Sequence, residues 1–190
     1  MNICVYCSSS DGVAATFFEA ADALGRMIAR RGDTLIYGGA GIGLMGALAR
    51  AVKAGGGRVI GVMPERLAAE PITFAGADEL IITRNMRERK ARMEALADAF
   101  IVLPGGFGTL EELAEILTLR QLREHTKPVV LLNVQGFYEP LIGLFEHFYR
   151  EGFAKPWREL YAVTGDVGAA LDIIDTYKPV TAPRKWIGLE

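Results

Sequence analysis

The alternation of two hydrophobic periods constrains this chain more than any other feature. Short apolar runs occur at Ile3–Tyr6, Thr34–Tyr37, Val59–Met63, Leu80–Thr83, Phe100–Leu103, Val129–Leu132 and, weakly, Tyr161–Thr164. Between them lie helical patterns at about 13–31, 43–55, 84–97, 109–124, 137–151 and 166–177. The runs are continuous in Val, Ile and Leu, as strands covered on both faces must be. Alternation of this kind predicts right-handed βαβ units. The expected fold is therefore α/β: a Rossmann-like three-layer α/β/α arrangement with a mostly parallel sheet of about seven strands. At 190 residues the chain suits one domain, over 1–177, with an irregular tail over 178–190 that contains Pro179 and Pro183. Ala68–Ala77, with Pro71 and Gly76, reads as the most mobile loop.

Composition then removes several classes. A net charge of −2 gives no global attraction to nucleic acid, so no nucleic-acid partner is expected. No apolar run approaches the ~20 residues needed to cross a bilayer, so no membrane is expected either. The N-terminus runs straight into a strand pattern without a basic region before it, which argues against a signal peptide and for the cytoplasm. Cys4-Val-Tyr-Cys7 is nominally a C-x-x-C, but residues three apart in a strand point to opposite faces. Buried thiols are expected there instead of a redox or zinc pair. His125 and His147 lack metal-ligand spacing, so no metal and no cofactor is expected.

Two glycine clusters follow strands and open helices. The first, Gly38-Gly-Ala-Gly41-Ile-Gly43-Leu-Met-Gly46, contains G-x-G-x-x-G, with Glu65 some distance on as the candidate ribose acid. It follows the second strand and not the first, which weakens a dinucleotide reading. Helix–strand packing and a mononucleotide pocket remain open, with Gly39, Gly41 and Gly43 as candidate lining. Ser8 and Ser9, after the first strand, lie at an equivalent carboxyl end. The second cluster, Pro104-Gly-Gly-Phe-Gly-Thr-Leu-Glu-Glu112, follows a buried strand and is the stronger signal. Thr109 and Glu112 fit a T-x-x-E capping box, and Glu111 and Glu112 suit the positive end of a helix dipole. Three glycines in four residues exceed what a cap needs, and they let a phosphate approach the backbone. Phosphate beside two carboxylates calls for a compensating cation.

The helix pattern at 84–97 supplies one. Met86, Met93, Leu96 and Ala97 form an apolar stripe at helical period, and Arg89 and Lys90 fall inside it. A charge directed at the protein interior is costly unless paired. One of the two is therefore expected to meet a carboxylate or a phosphate, while Arg84, Arg87 and Arg92 read as a solvated face.

Met86-Arg-Glu-Arg89-Lys90 together with Pro104-Gly-Gly-Phe-Gly-Thr-Leu-Glu-Glu112 resembles the LOG ("Lonely Guy") family, the cytokinin riboside 5′-monophosphate phosphoribohydrolases once labelled lysine decarboxylases. The resemblance continues through Tyr37–Gly46 and Lys127–Val134 and covers roughly residues 2 to 175. It implies Arg89 and Glu112 as catalytic residues. It implies substrate contacts from Met86, Lys90, the loop Gly105, Gly106, Phe107, Gly108, Thr109, Leu110 and Glu111, and Thr118 further along the helix. It also implies a homodimer. Arg87 stands where the family often has histidine, and Ala40 where it often has a third glycine, which bears on base selectivity more than on reaction class.

The activity so implied is hydrolysis of the N-glycosidic bond of a nucleoside 5′-monophosphate. Glu112 would stabilise the cation-like C1′ centre and the glycine loop would hold the phosphate. A non-catalytic nucleotide or molybdenum-cofactor carrier is the alternative. Lysine decarboxylation would need pyridoxal phosphate on a lysine, and only Lys90 lies near the expected pocket.

Overall fold

The computed structural model describes residues 1–181. Seven strands form one all-parallel sheet: β1 (Asn2–Tyr6), β2 (Thr34–Tyr37), β3 (Arg58–Pro64), β4 (Glu79–Thr83), β5 (Ala99–Val102), β6 (Val129–Leu132) and β7 (Ala162–Thr164), in the order β4-β3-β2-β1-β5-β6-β7. The helices are α1 (Ala15–Arg30), α2 (Gly43–Ala54), a short α3 (Glu65–Ala68), α4 (Met86–Leu96), α5 (Phe107–Gln121), α6 (Glu139–Arg150) and α7 (Val167–Thr176). The expected three-layer α/β/α fold is present.

Burial explains the layering. In α1 the buried positions Ala21, Leu24, Gly25, Ile28 and Ala29 recur at helical spacing and face the sheet. Leu44, Leu48 and Val52 of α2 and Ala170, Leu171 and Ile174 of α7 join the same core, beneath Ile3, Val5, Leu35 and Ile101. Met93 of α4 and Leu113, Ile116 and Leu117 of α5 fill the core on the other face, with Cys4, Phe100 and Leu131. The two cysteines divide between these cores, Cys7 in the first and Cys4 in the second, as strand geometry requires. Burial pushes both thiols well above their ordinary range, so they stay protonated.

Three local expectations shift. Helix α4 begins at Met86 and not at 84, because the Asn85 side chain caps it, accepting from the Glu88 N–H at 3.0 Å. Helix α5 begins two residues before Thr109. The 68–77 segment is tied down: Ala40 and Thr73 form an antiparallel bridge, and the Gly41 and Phe74 N–H groups donate to Ile72 and Gly39 carbonyls. Of the expected tail, 178–181 has no regular structure, and 182–190 lies outside the described residues.

Candidate active site

The strand order positions the site. The chain builds from β1 outward through β2, β3 and β4, then returns to place β5 on the other side of β1. The carboxyl ends of β1 and β5 therefore part at a topological switch point, where open α/β sheets place their ligands. A cleft of about 460 Å³ lies there. Its walls are Cys7, Ser8, Ser9 and Ser10 after β1, Gly38 and Ala40 after β2, and Met63 near the end of β3. Met86 and Arg89 of α4 and the opening turns of α5 complete it.

Arg89 and Glu112 meet in this cleft. Their side chains are each 6% exposed, and Arg89 Nη1 donates to Glu112 Oε1 at 2.7 Å. Arg89 Nε donates to the Val62 carbonyl at 3.0 Å, which fixes the plane of the guanidinium. Gly38 makes room for it, since a Cβ there would overlap Arg89 Nη2. Burial pushes the Glu112 carboxyl above the usual 4.5, and the adjacent Arg89 pulls it back only in part. The cation inferred from the α4 stripe is thus found on the acid inferred from the second glycine cluster.

Lys90 turns elsewhere. Its ammonium pairs with Glu111 and, at 2.6 Å, with Glu115, clamping α4 to α5 beside the cleft. Burial alone would lower its pKa, but the two carboxylates outweigh that, and the net shift is upward.

The start of α5 leaves backbone N–H groups open, the arrangement in which a helix end can take an anion. Gly106 is its N-cap residue, and no side chain caps it. The Leu110 N–H donates to the Gly106 carbonyl at 3.0 Å. The N–H groups of Phe107, Gly108 and Thr109 come too early in the helix for such a bond and point out of its end. A Cβ on Gly106 or Gly108 would meet nothing within 4 Å, so these two glycines border open space. The capping box expected at Thr109 is not formed. Thr109 is buried inside the first turn, its side chain folded back where a Cβ on Gly105 would sit, and Glu112 is engaged by Arg89.

The first glycine cluster is filled from within. The Gly43 N–H donates to Asp11 Oδ1 at 2.8 Å, and the Met45 N–H donates to the Ser8 carbonyl at 3.2 Å. Gly43 has φ +58° and lies against the backbone of Ser9. Gly39 packs on Met63 and Leu80, and Gly41 on Phe74. These three glycines hold the wall without lining the cleft, and Glu65 is exposed on α3. Ser8 links the two clusters, because its N–H donates to the Pro104 carbonyl at 3.2 Å.

Of the other expected contacts, Met86, Gly106, Phe107, Gly108, Thr109 and Glu111 line the cleft together with Ser8 and Ser9. Gly105 and Leu110 flank it. Thr118 lies on a separate cavity with Phe145 and Phe148, its hydroxyl donating to the Ala114 carbonyl at 2.7 Å. Sequence reasoning did not single out Gly38, Met45, Met63, Leu67 or Ile72, which complete the walls. For Gly38 the signal was available, since it opens the first glycine cluster directly after a strand.

Comparison with known proteins fits this geometry. A family model described as "Possible lysine decarboxylase" matches residues 45–174. Over 153 residues the chain is 50% identical to the "Probable cytokinin riboside 5'-monophosphate phosphoribohydrolase LOGL1" of Oryza sativa subsp. japonica, spanning 80% of this chain and 69% of that protein. Over 178 residues it is 43% identical to the "Cytokinin riboside 5'-monophosphate phosphoribohydrolase LOG2" of Arabidopsis thaliana, spanning 93% and 84%. The chain belongs to the LOG family. The fold of this LOG-family chain also extends to the molybdenum cofactor binding protein of the phototrophic bacterium Rippkaea orientalis, with a TM-score of 0.71 and 22% identity over 92% of this chain and 95% of that one. Among the described residues, no helix of the LOG-family chain is long and apolar enough to cross a membrane.

Proposed function

We propose that the chain hydrolyses the N-glycosidic bond of a nucleoside 5′-monophosphate, AMP or a cytokinin riboside 5′-monophosphate, to free base and ribose 5-phosphate. The observation that carries this reading is the buried Arg89–Glu112 pair set one turn from an uncapped, glycine-bordered helix start. The 5′-phosphate binds the outward N–H groups of Phe107–Thr109. That anchorage brings the ribose toward Glu112, and the fixed geometry supplies much of the rate. As the C1′–N bond lengthens, C1′ becomes cation-like and the Glu112 carboxylate stabilises it. The base departs with the bond's electron pair and takes up a proton from solvent water, while the water that adds to C1′ gives its proton to the Glu112 carboxylate. Arg89 favours the ionised form of Glu112 against the effect of burial and aims the carboxylate. A guanidinium does not give up its proton near neutrality, so Arg89 is not the acid that protonates the base.

The cluster of exposed apolar side chains on and near α5 and α6, including Phe107, Leu110, Phe148 and Phe153, supports a homodimer. It would bring the Thr118 cavity under a second chain. The lysine decarboxylase description finds no support at Lys90, because an amine held between two carboxylates stays protonated and does not form a Schiff base.

The test is chromatographic release of adenine from AMP and of isopentenyladenine from its riboside 5′-monophosphate. Glu112→Gln is expected to keep nucleotide affinity and lose about 10²–10⁴ in kcat. Tight AMP binding with no base release from the parent protein would mean a carrier, and a Glu112→Gln variant as fast as the parent would remove the mechanism.

A further inference from the structure

At the opposite, amino-terminal end of the sheet lies a second cavity, of about 240 Å³, between Pro128 and Val129 at the start of β6 and Tyr161 and Ala162 at the start of β7. Arg120, on the last turn of α5, forms part of its wall. This arginine is only 1% exposed, yet among the described residues it has no carboxylate in ion-pair contact. Its Nη1 donates to the Leu160 carbonyl at 2.9 Å and its Nη2 to the Tyr177 hydroxyl at 2.7 Å, while Nε has no hydrogen-bond partner among the described residues. Its guanidinium carbon lies 5.2 Å from the Trp157 ring centroid and 5.3 Å from that of Tyr177. Two aromatic faces and two neutral acceptors soften the burial of a charge without neutralising it.

The rest of the wall adds cations and apolar surface. Arg158 and Lys178, both exposed, line the same cavity, against one acid, Glu159. Tyr161, Ile173 and Tyr177 give it an apolar and aromatic side. Arg89, also buried, is ion-paired with Glu112, whereas Arg120 has only the longer-range charge of Glu159, on the cavity wall, and no ion pair among the described residues. Buried charges in folded proteins find a counter-charge, and here the cavity offers the place for one.

We propose that this cavity is a second ligand site, separate from the nucleotide cleft, that binds a small organic carboxylate. Its head group sits among Arg120, Arg158 and Lys178, and its apolar or aromatic body lies against Tyr161, Ile173 and Tyr177. Because Arg120 closes the helix whose first turns carry the phosphate loop and Glu112, such a ligand binds the far end of the catalytic helix. The proposal does not depend on the hydrolase reading.

Trp157 supplies the readout, since it stacks on Arg120. Trp186→Phe leaves it the sole tryptophan of the full-length chain. Titration of that protein with benzoate is expected to give a saturable change in emission, unaltered by saturating AMP. Arg158→Ala and Lys178→Ala change exposed residues and leave the fold intact, and each is expected to weaken benzoate binding about fivefold or more. Arg120→Met is expected to abolish it. Acetate and inorganic phosphate, lacking the apolar body, are expected to bind at least about tenfold more weakly than benzoate. The proposal is overturned by no saturable response, by competition from AMP, by affinities indifferent to both Arg158→Ala and Lys178→Ala, or by acetate or phosphate matching benzoate.

Discussion

At the start of α2 the Gly43 N–H is taken by the Asp11 carboxylate and the Met45 N–H by the Ser8 carbonyl. At the start of α5 no side chain caps the helix, and Gly106 and Gly108 look onto open space. Both segments are glycine-rich turns that pass from a strand to a helix, and motif matching alone would rank the G-x-G-x-x-G at α2 as the nucleotide loop. The difference lies in what the glycines make room for. At α2 they admit other parts of the protein: a Cβ on Gly46 would overlap the Gly41 carbonyl, and one on Gly43 the Ser9 backbone. At α5 two of them admit nothing that belongs to the chain. A glycine that borders emptiness beside free N–H groups is a better sign of a ligand than a glycine motif.

Substitutions can break this contrast. The largest effect is expected from Gly46→Ala, which forces backbone apart and should cost about 3 kcal/mol of unfolding free energy; a denaturation midpoint equal to the parent's would show that α2 is not tightly packed on its own loop. Gly108→Ala should behave in the opposite way. Its stability should stay within about 0.5 kcal/mol of the parent, while KM for the nucleotide rises about tenfold, near 1.4 kcal/mol, because the new methyl enters the phosphate's space. Unchanged KM would move the phosphate away from α5. Asp11→Ala removes the internal cap of α2 and should cost about 1 kcal/mol in stability, with little change in KM. An altered KM with unaltered stability would reverse the roles assigned to the two helix starts.

The smallest effect concerns pH. Burial holds the Glu112 carboxyl above 4.5, and it must be ionised to stabilise C1′. kcat/KM should therefore fall on acidification along a limb whose apparent pKa lies above 4.5. A flat profile down to that value would mean that Glu112 is not the titrating group.

The sheet, the helix layers and the division of the cysteines were legible in the sequence because they follow from periodicity alone. The Arg89–Glu112 pair was legible for a related reason, since a cation inside an apolar stripe must have a partner. Which of Arg89 and Lys90 reached Glu112 did not follow from the apolar stripe, which holds both; the family resemblance alone singled out Arg89. The Thr109 capping box misled, since Gly106 can end a loop as readily as threonine and only the packing of Thr109 over Gly105 decides between them. Met63, Leu67 and Ile72 reach the cleft from segments that strand order alone brings together. Arg120 was legible and passed over. It follows Leu113, Ile116 and Leu117 on the buried face of α5, the same pattern that marked Arg89.

One residue carries more than its share of this arrangement. Through its N–H and its carbonyl, Ser8 ties the loop before α5 to the first turn of α2. Residues 8–11 therefore act as a gauge block between the phosphate end and the opposite wall, and lengthening them would move both at once. Leu67 and Ile72 stand outside that linkage and yet face the cleft. That side of the cleft can therefore be reshaped through Leu67 and Ile72 with the serines left alone.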